Sequence, residues 1–200
     1  MDIALSFNPP HVSWYQLTIE PNTAFYRQPP VLPEDDTLWA IQEAGQAKLA
    51  HAGLWQYEVS AYSGNRPSRH NLNYWQFGDY LAIGAGAHGK VTTADGIFRY
   101  RKTRLPKDYL QAAPLQQVRI GLEQIDKTDL TFEFMMNALR LKQGVPMRYW
   151  QERTGLPWAD IESVVQECQH KGWLTTDNGH IACTELGFNY LNDVLSYFLS

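Results

Sequence analysis

One short stretch of the sequence, residues 70–75, concentrates side chains that could bind a flat, iron-containing ligand. It reads His-Asn-Leu-Asn-Tyr-Trp. The neutral imidazole of His70 is a suitable axial ligand for heme iron, and the rings of Tyr74 and Trp75 could stack on a macrocycle. Taken by itself, the stretch has a second interpretation, in which His70 and Asn71 cap a short helix and the two aromatic rings pack beneath it.

Basic residues surround this stretch. Residues 64–108 contain eight Lys or Arg against three Asp, a local charge of +5. Arg69 directly precedes His70 and Arg66 lies four positions before it, and a guanidinium pairs well with a carboxylate such as a porphyrin propionate. The whole chain has a net charge of −4, which argues against a general binder of polyanions.

A second candidate is the glycine-rich run Gly84-Ala85-Gly86-Ala87-His88-Gly89. Closely spaced glycines let backbone amides approach a cofactor. The run lacks the spacing of a dinucleotide-binding fingerprint and no clear helix follows it, so a Rossmann site is not indicated. The alternatives are a tightly packed exit from a strand and, for His88, a structural hydrogen-bonded histidine.

Several classes of chemistry lack the residues that they need. Cys168 and Cys183 are the only cysteines, too few for a disulfide framework or for a cysteine-ligated zinc or iron-sulfur site. The sequence has no Ser-His-Asp order, HExxH, Walker A or paired-carboxylate pattern, so hydrolase and kinase functions lack support.

The first sixty residues predict a β-α-β unit. Residues 12–20 form a nearly continuous apolar strand, residues 33–52 keep a helical period behind an acidic first turn, and residues 55–61 alternate as a second strand. This order predicts a parallel sheet. Because two parallel strands do not make a stable sheet, we expect the chain to be the last part of a larger α/β domain.

The later elements are more mixed. Residues 80–88 resemble a buried strand that runs into the glycine turn, and residues 90–101 a hairpin around Asp95-Gly96. Beyond residue 126 the sequence predicts a winged-helix-like module, with helices at 131–142, 147–153 and 158–171, a hairpin of 173–176 and 180–184, and a last helix at 185–199. We therefore predict two domains, 1–125 and 126–200.

DNA binding is the obvious function of a winged helix, but the charge of this module opposes it. Residues 128–200 have five basic against nine acidic side chains. The helix that would enter a groove contains Asp160, Glu162 and Glu167, which would repel phosphates. We expect no nucleic-acid partner and interpret the module as one that packs or docks a protein.

Four stretches together resemble a known family. They are WYQLTIEPNT at 14–23, HNLNYWQFGDYLAIGAGAHG at 70–89, KTRLPKDY at 102–109 and FEFMMNALRL at 132–141. The sequence resembles the HemW-like heme chaperones, which are radical S-adenosylmethionine (SAM) proteins related to the oxygen-independent coproporphyrinogen III oxidases. The resemblance covers essentially the whole chain and maps to the carboxyl-terminal part of the family's proteins.

The resemblance implies an α/β fold, with an incomplete parallel (β/α)6 barrel followed by a small helical domain. In this family HNxxYW is associated with heme, so the resemblance implies that His70 ligates the iron. Heme and heme-acceptor proteins are the implied partners. The implied heme-binding residues are His70, Asn71, Tyr74, Trp75, Arg66 and Arg69.

The resemblance also implies SAM-facing positions, which are Gln16, Thr18, Gly84, Gly86, Ala87 and His88. The family's CxxxCxxC motif, whose thiolates hold a four-iron four-sulfur cluster, is absent from this sequence. We therefore expect that the chain alone does not cleave SAM, although the family is a radical SAM family.

Two other functions remain open. The chain could be a portion of a coproporphyrinogen III oxidase acting in porphyrin biosynthesis, or a non-catalytic module for protein docking. No apolar run approaches the roughly 18 residues of a membrane span, and the first residues lack the features of a signal peptide, so we expect a cytoplasmic protein. An incomplete sheet also leads us to expect self-association.

Overall fold

The computed structural model describes residues 1–112 and 119–199. The chain forms two compact units, Met1–Ser68 and Arg69–Ser200. The domain boundary predicted near residue 125 is a different division of the chain and stays a prediction. Among the described residues, no helix combines the length and the apolar character needed to cross a membrane.

The first unit contains three helices and a small sheet. Its elements in chain order are α1 (Asp2–Ser6), β1 (His11–Ser13), α2 (Ala24–Arg27), α3 (Asp35–His51), β2 (Trp55–Glu58) and β3 (Ala61–Ser63). The long helix was predicted at 33–52, and the structure confirms it. Asp35 and Asp36 lie in its first turn, where carboxylates interact favourably with the helix dipole.

The predicted parallel pairing of the first two strands is wrong. The sheet has the order β1-β3-β2, and both β1 and β2 pair with β3 in the antiparallel sense. The stretch predicted as one strand at 55–61 turns at Val59–Ser60, since Glu58 pairs with Ala61. β1 and β2 therefore run in the same direction, but β3 takes the position between them.

The strand predicted at 12–20 is also much shorter in the structure. β1 ends at Ser13, although the Trp14 amide still donates to the Ser60 carbonyl at 2.8 Å. Tyr15, Gln16, Leu17 and Thr18 are exposed and lie outside the described strands. The described strands pair in the antiparallel sense throughout, and the barrel portion remains a prediction.

A small apolar cluster holds the first unit together. Leu49 of α3 is fully buried, and it joins Leu54 and Tyr62 in a cluster that Leu5, Val12 and Trp14 partly cover. The Trp14 ring lies so close to Gly45 that a Cβ at that position would overlap it. Absence of a side chain at Gly45 thus lets the β1 end pack against the face of α3.

The second unit contains the remaining elements. They are α4 (Arg69–Trp75), β4 (His88–Thr93), β5 (Gly96–Lys102), α5 (Pro106–Ala112), β6 (Arg119–Gln124), α6 (Lys127–Ala138), β7 (Val145–Pro146), α7 (Arg148–Thr154), α8 (Ala159–His170), β8 (Leu174–Thr175), β9 (His180–Cys183), α9 (Glu185–Asn189) and α10 (Leu191–Ser196). The hairpin around Asp95-Gly96 is confirmed as β4 and β5, and β6 adds a third antiparallel strand beside β5.

The buried strand predicted at 80–88 is wrong. Tyr80 makes only an isolated antiparallel bridge with Lys90, and the residues that follow leave the sheet. Leu81 is 73% exposed and Ile83 is 86% exposed. An apolar run alone does not distinguish a buried strand from an irregular segment, because the run does not show which strand, if any, it pairs with.

The three helices and the hairpin predicted after residue 126 correspond to α6, α7, α8 and the pair β8–β9, with β7 as an additional partner of β9. The single last helix predicted at 185–199 is wrong, because the backbone leaves the helical conformation at Tyr190, between α9 and α10. The buried rings of Phe134 and Trp150 form the centre of this region, with their centroids 5.3 Å apart. The winged-helix comparison stays a prediction.

Candidate functional site

The stretch singled out from the sequence forms one short helix, α4. Pro67 and Ser68 precede it, as is typical of a helix start. It ends where Phe77 adopts a left-handed conformation, with φ of 59°. There the Phe77 amide donates to the Tyr74 carbonyl at 2.9 Å, and the Gly78 amide donates to the Asn73 carbonyl at 2.7 Å. These bonds satisfy the last carbonyls of the helix.

His70 is the exposed end of a row of three rings. Its centroid lies 4.8 Å from that of Tyr74, one helical turn further along α4. Tyr74 in turn lies 4.3 Å from Tyr80. Burial raises the pKa of Tyr80, so its hydroxyl stays protonated. The arrangement presents an accessible imidazole backed by aromatic surface, which is what a flat iron-containing ligand requires.

The other residues of the motif are half-buried. The Trp75 ring contacts the Arg140 guanidinium, whose central carbon lies 4.4 Å from the ring centroid. The indole nitrogen of Trp75 is buried without a hydrogen-bond partner among the described residues. Asn71 is half-buried on the same helix. His70 thus faces solvent while Trp75 packs inward, and His70 and Asn71 lie within the helix and do not cap it. The heme-ligand interpretation stays a prediction.

The two arginines proposed for propionates fall in different compact units. Arg69 is exposed and immediately precedes His70 in α4. Arg66 is also exposed but belongs to the first unit. Tyr80 and Arg140 were not predicted as neighbours of the motif, because tertiary packing and not local spacing brings them to it.

A polar network centred on the buried Lys90 side chain lies directly behind the end of α4. The Lys90 side chain is 2% exposed, and its ammonium contacts the Asp79 carboxylate at 3.2 Å. Burial lowers the pKa of Lys90, and the hydrogen bond with Asp79 opposes that change. Partial burial alone would raise the pKa of Asp79, but hydrogen bonds from Thr92 and Lys90 outweigh it and lower that pKa.

The glycine run forms a turn before β4. Gly84 and Gly86 have φ of 97° and 71°, and the Gly86 amide donates to the Thr103 carbonyl at 2.9 Å. The Ala87 carbonyl accepts from the Lys102 amide at 2.8 Å, so it is engaged within the fold. His88 is exposed at the first position of β4.

The other two SAM-facing candidates, Gln16 and Thr18, are exposed residues of the first unit. The glycine run belongs to the second unit. The SAM site therefore stays a prediction.

The cysteines do not fit an iron-sulfur cluster. Cys168 on α8 and Cys183 on β9 are both buried, and burial raises the pKa of Cys183 to about 12. Burial also raises the pKa of Cys168. The family's cluster is held by three thiolates, and this sequence contains two cysteines. Among the described residues, no three or more His, Cys, Asp or Glu lie grouped as metal ligands.

Comparison with known proteins defines the class. Residues 125–189 match the HemN C-terminal domain. The chain is 47% identical over 201 residues to the heme chaperone HemW of Escherichia coli K12, covering 98% of this chain and 52% of the relative. It is 44% identical to the heme chaperone HemW of Haemophilus influenzae, covering 98% and 51%. The Bos taurus mitochondrial "radical S-adenosyl methionine domain-containing protein 1" is 31% identical, covering 95% and 46%.

A solved structure shares the fold. It is the Escherichia coli coproporphyrinogen III oxidase HemN, a radical SAM enzyme, with a TM-score of 0.66 and 15% identity over 98% of this chain and 49% of that one. The chain is thus similar over nearly its whole length to proteins named heme chaperone HemW, and it shares the fold of a radical SAM oxidase. The match is to the carboxyl-terminal portion of that oxidase. It spans about half the length of the curated relatives that it matches.

Proposed function

We propose that the chain binds heme through His70 on the exposed side of α4 and delivers it to acceptor proteins, as the carboxyl-terminal portion of a HemW-like heme chaperone. The observation that carries the proposal is the accessible His70 imidazole backed by the Tyr74 ring at 4.8 Å. An imidazole nitrogen supplies one axial bond to heme iron. Tyr74 offers apolar ring surface beside the porphyrin, and Arg69 supplies a cation for a propionate.

The exposure of the site suits delivery as well as binding. A ligand on the surface of a short helix leaves most of the macrocycle accessible, so an acceptor could engage the heme before His70 releases it. In contrast, a resident heme cofactor is normally enclosed in a pocket that buries most of its surface. We infer from this difference that the heme is cargo.

Radical chemistry is not part of the proposal for this chain. Its two buried cysteines cannot supply the three thiolates of the family's cluster. The alternative of an oxidase portion rests on a shared fold, and a fold alone does not specify an activity. The docking-module alternative predicts that heme binding is absent, so one titration separates it from the proposal.

Heme titration followed by Soret absorption tests the site. We expect His70→Ala to cause a large loss of affinity and a changed spectrum, because a coordinate bond is lost. Arg69→Ala should cost only about 0 to 1 kcal/mol, as is usual for an exposed ion pair. His88→Ala is the matched control, since His88 is also an exposed histidine of the second unit, at the first position of β4.

Two outcomes would contradict the assignment. If His88→Ala abolishes binding while His70→Ala resembles the parent, the iron ligand is wrong. If the parent binds heme and neither variant changes the titration, neither histidine ligates the iron and the proposed site is wrong. Delivery is tested with heme-free myoglobin as acceptor, where transfer that accelerates with acceptor concentration indicates direct hand-over and not release into solution.

A further inference from the structure

We propose that Lys90 is a positioning residue for the heme-binding side of α4, and this inference rests on the proposed function. Its ammonium lies behind the helix end, where it donates to the Phe77 carbonyl at 3.0 Å and to the Asp79 carboxylate at 3.2 Å. The same ammonium lies 4.0 Å from the centroid of the Phe77 ring. These contacts fix the backbone that directly follows the end of α4.

A buried ammonium must keep such partners. Lys90 is one of the few charged side chains in the core of the described residues. Removing a charge from water is costly unless hydrogen bonds and an opposite charge compensate for it. The ammonium therefore favours one arrangement of Phe77 and Asp79 over others, which is the property expected of a positioning group.

Asp79 connects this ammonium to both the hairpin and the helix. Its carboxylate accepts hydrogen bonds from the Thr92 amide at 2.9 Å and the Thr92 hydroxyl at 2.8 Å. Its backbone carbonyl accepts from the Asn73 side-chain amide at 2.9 Å. Asn73 lies within α4, so the strand β4 holds the helix through a continuous set of hydrogen bonds.

A second connection runs through the aromatic row. Lys90 and Tyr80 exchange two backbone hydrogen bonds, both 3.0 Å long. They fix the backbone beside the Tyr80 ring, which contacts Tyr74, and Tyr74 contacts His70. The backbone of Lys90 thus supports the rings behind His70, while its side chain fixes the helix end.

The test compares Lys90→Met with Lys102→Met. Methionine keeps the apolar length of the side chain and removes the donors. Lys102 lies on β5 of the same hairpin, with its ammonium 5.6 Å from the Tyr100 ring centroid, and is the matched control. In the heme-free chain, we expect Lys90→Met to accelerate hydrogen exchange of the Phe77 and Gly78 amides about tenfold or more. This is the change expected when a hydrogen bond to a charged group is lost. Amides of α8 should exchange as in the parent, which shows that the fold is kept.

Heme titration of single and double variants distinguishes a positioning role of Lys90 from a merely structural one. We expect Lys90→Met to weaken heme binding about tenfold. Combined with His70→Ala, it should weaken binding no further than His70→Ala alone, because both changes act through one iron bond. Should Lys90→Met fail to fold, Asp79→Asn is the second variant, and its effects should have the same direction and a smaller size.

The outcomes separate this inference from the proposed function. Unchanged exchange at Phe77 and Gly78 in Lys90→Met would overturn the positioning role. Heme binding that depends on His70 but is unaffected by Lys90→Met would overturn it also, and would leave the proposed function standing. A parent chain that binds no heme would overturn both.

Discussion

The guanidinium of Arg140 lies over the ring of Trp75, with 4.4 Å between its central carbon and the ring centroid. Trp75 is the last residue of α4, and Arg140 lies two residues beyond the end of α6. The contact therefore joins the helix that carries His70 to the carboxyl-terminal region of the chain. It is a tertiary contact between segments that no local pattern connects.

Replacing Arg140 with methionine should lower the free energy of unfolding by about 1 kcal/mol, the usual size of a partly buried cation-π contact. Arg148→Met is the control. Its guanidinium lies 5.1 Å from the ring of Tyr149, its neighbour on α7, and it is mostly exposed. The control should change the stability by less than about 0.5 kcal/mol. Urea unfolding measures both, and equal losses would contradict the assignment.

Two glycines with the same backbone conformation should tolerate alanine very differently. Gly144 and Gly155 have φ of 60° and 75°. A Cβ at Gly144 would overlap the Ile181 carbonyl of β9, whereas nothing lies within 4 Å of one at Gly155. Gly155→Ala should cost about 1 to 2 kcal/mol of left-handed strain. Gly144→Ala should cost clearly more, because backbone must move as well. Thermal melting measures the stability of the two variants. Similar melting temperatures would show that the backbone of β9 shifts at little cost to accommodate a Cβ at position 144.

Stability should fall on the alkaline side, in part because of Cys183. Burial raises its pKa from 9.0 to about 12, so the folded state favours the neutral thiol. The unfolded chain releases the proton first. The stabilisation is thus complete below pH 9 and is lost as the pH rises toward 12.

Urea unfolding at pH about 8 and about 11 should show a smaller loss of unfolding free energy for Cys183→Ala than for the parent. Some loss will remain, because burial also raises the pKa of Tyr62 and Tyr80. An equal loss in the two proteins would exclude the thiol as a cause.

The chain should self-associate through the first unit. Tyr15, Leu17 and Trp55 are 66%, 45% and 63% exposed beside a sheet of three short strands. Burying such side chains between copies is favourable, and sheet edges invite pairing. Sedimentation velocity should show species larger than a monomer at high concentration, and Tyr15→Ser with Leu17→Ser should reduce them. Ile3→Ser, on α1, is the control and should have no effect. A parent that stays monomeric would refute the prediction.

Sequence patterns correctly predicted the helices and hairpins that are specified by residues close together in the chain. The helix at 35–51 has an acidic first turn and a helical period, and the hairpin at 88–102 has an Asp-Gly turn. The turn at Val59–Ser60 carries no such residues, so its two strands were predicted as one. Pairing partners were wrong for the same reason, because alternation shows that a strand exists and not what lies beside it.

In the candidate site, too, residues close together in the sequence were predicted and those brought together by tertiary packing were not. The sequence located His70, Tyr74 and Trp75 through the spacing of one motif. It did not connect them with Tyr80, Lys90 or Arg140, whose contacts depend on how distant segments pack. The heme ligand itself stays a prediction, which the titration above tests.

The end of α4 places a constraint on sequence change that extends past the four recognisable residues of the motif. A side chain at position 78 would overlap both the Asn73 side chain and the Asn73 carbonyl. Asn73 meanwhile donates to the Asp79 carbonyl at 2.9 Å. Position 78 must therefore stay glycine, and position 73 must keep a side chain that donates to the backbone carbonyl of residue 79. A graft of the motif into another protein should consequently include residues 70–79 as one piece. A segment that stops at Trp75 would lack the amides of Phe77 and Gly78, which donate to the last carbonyls of α4.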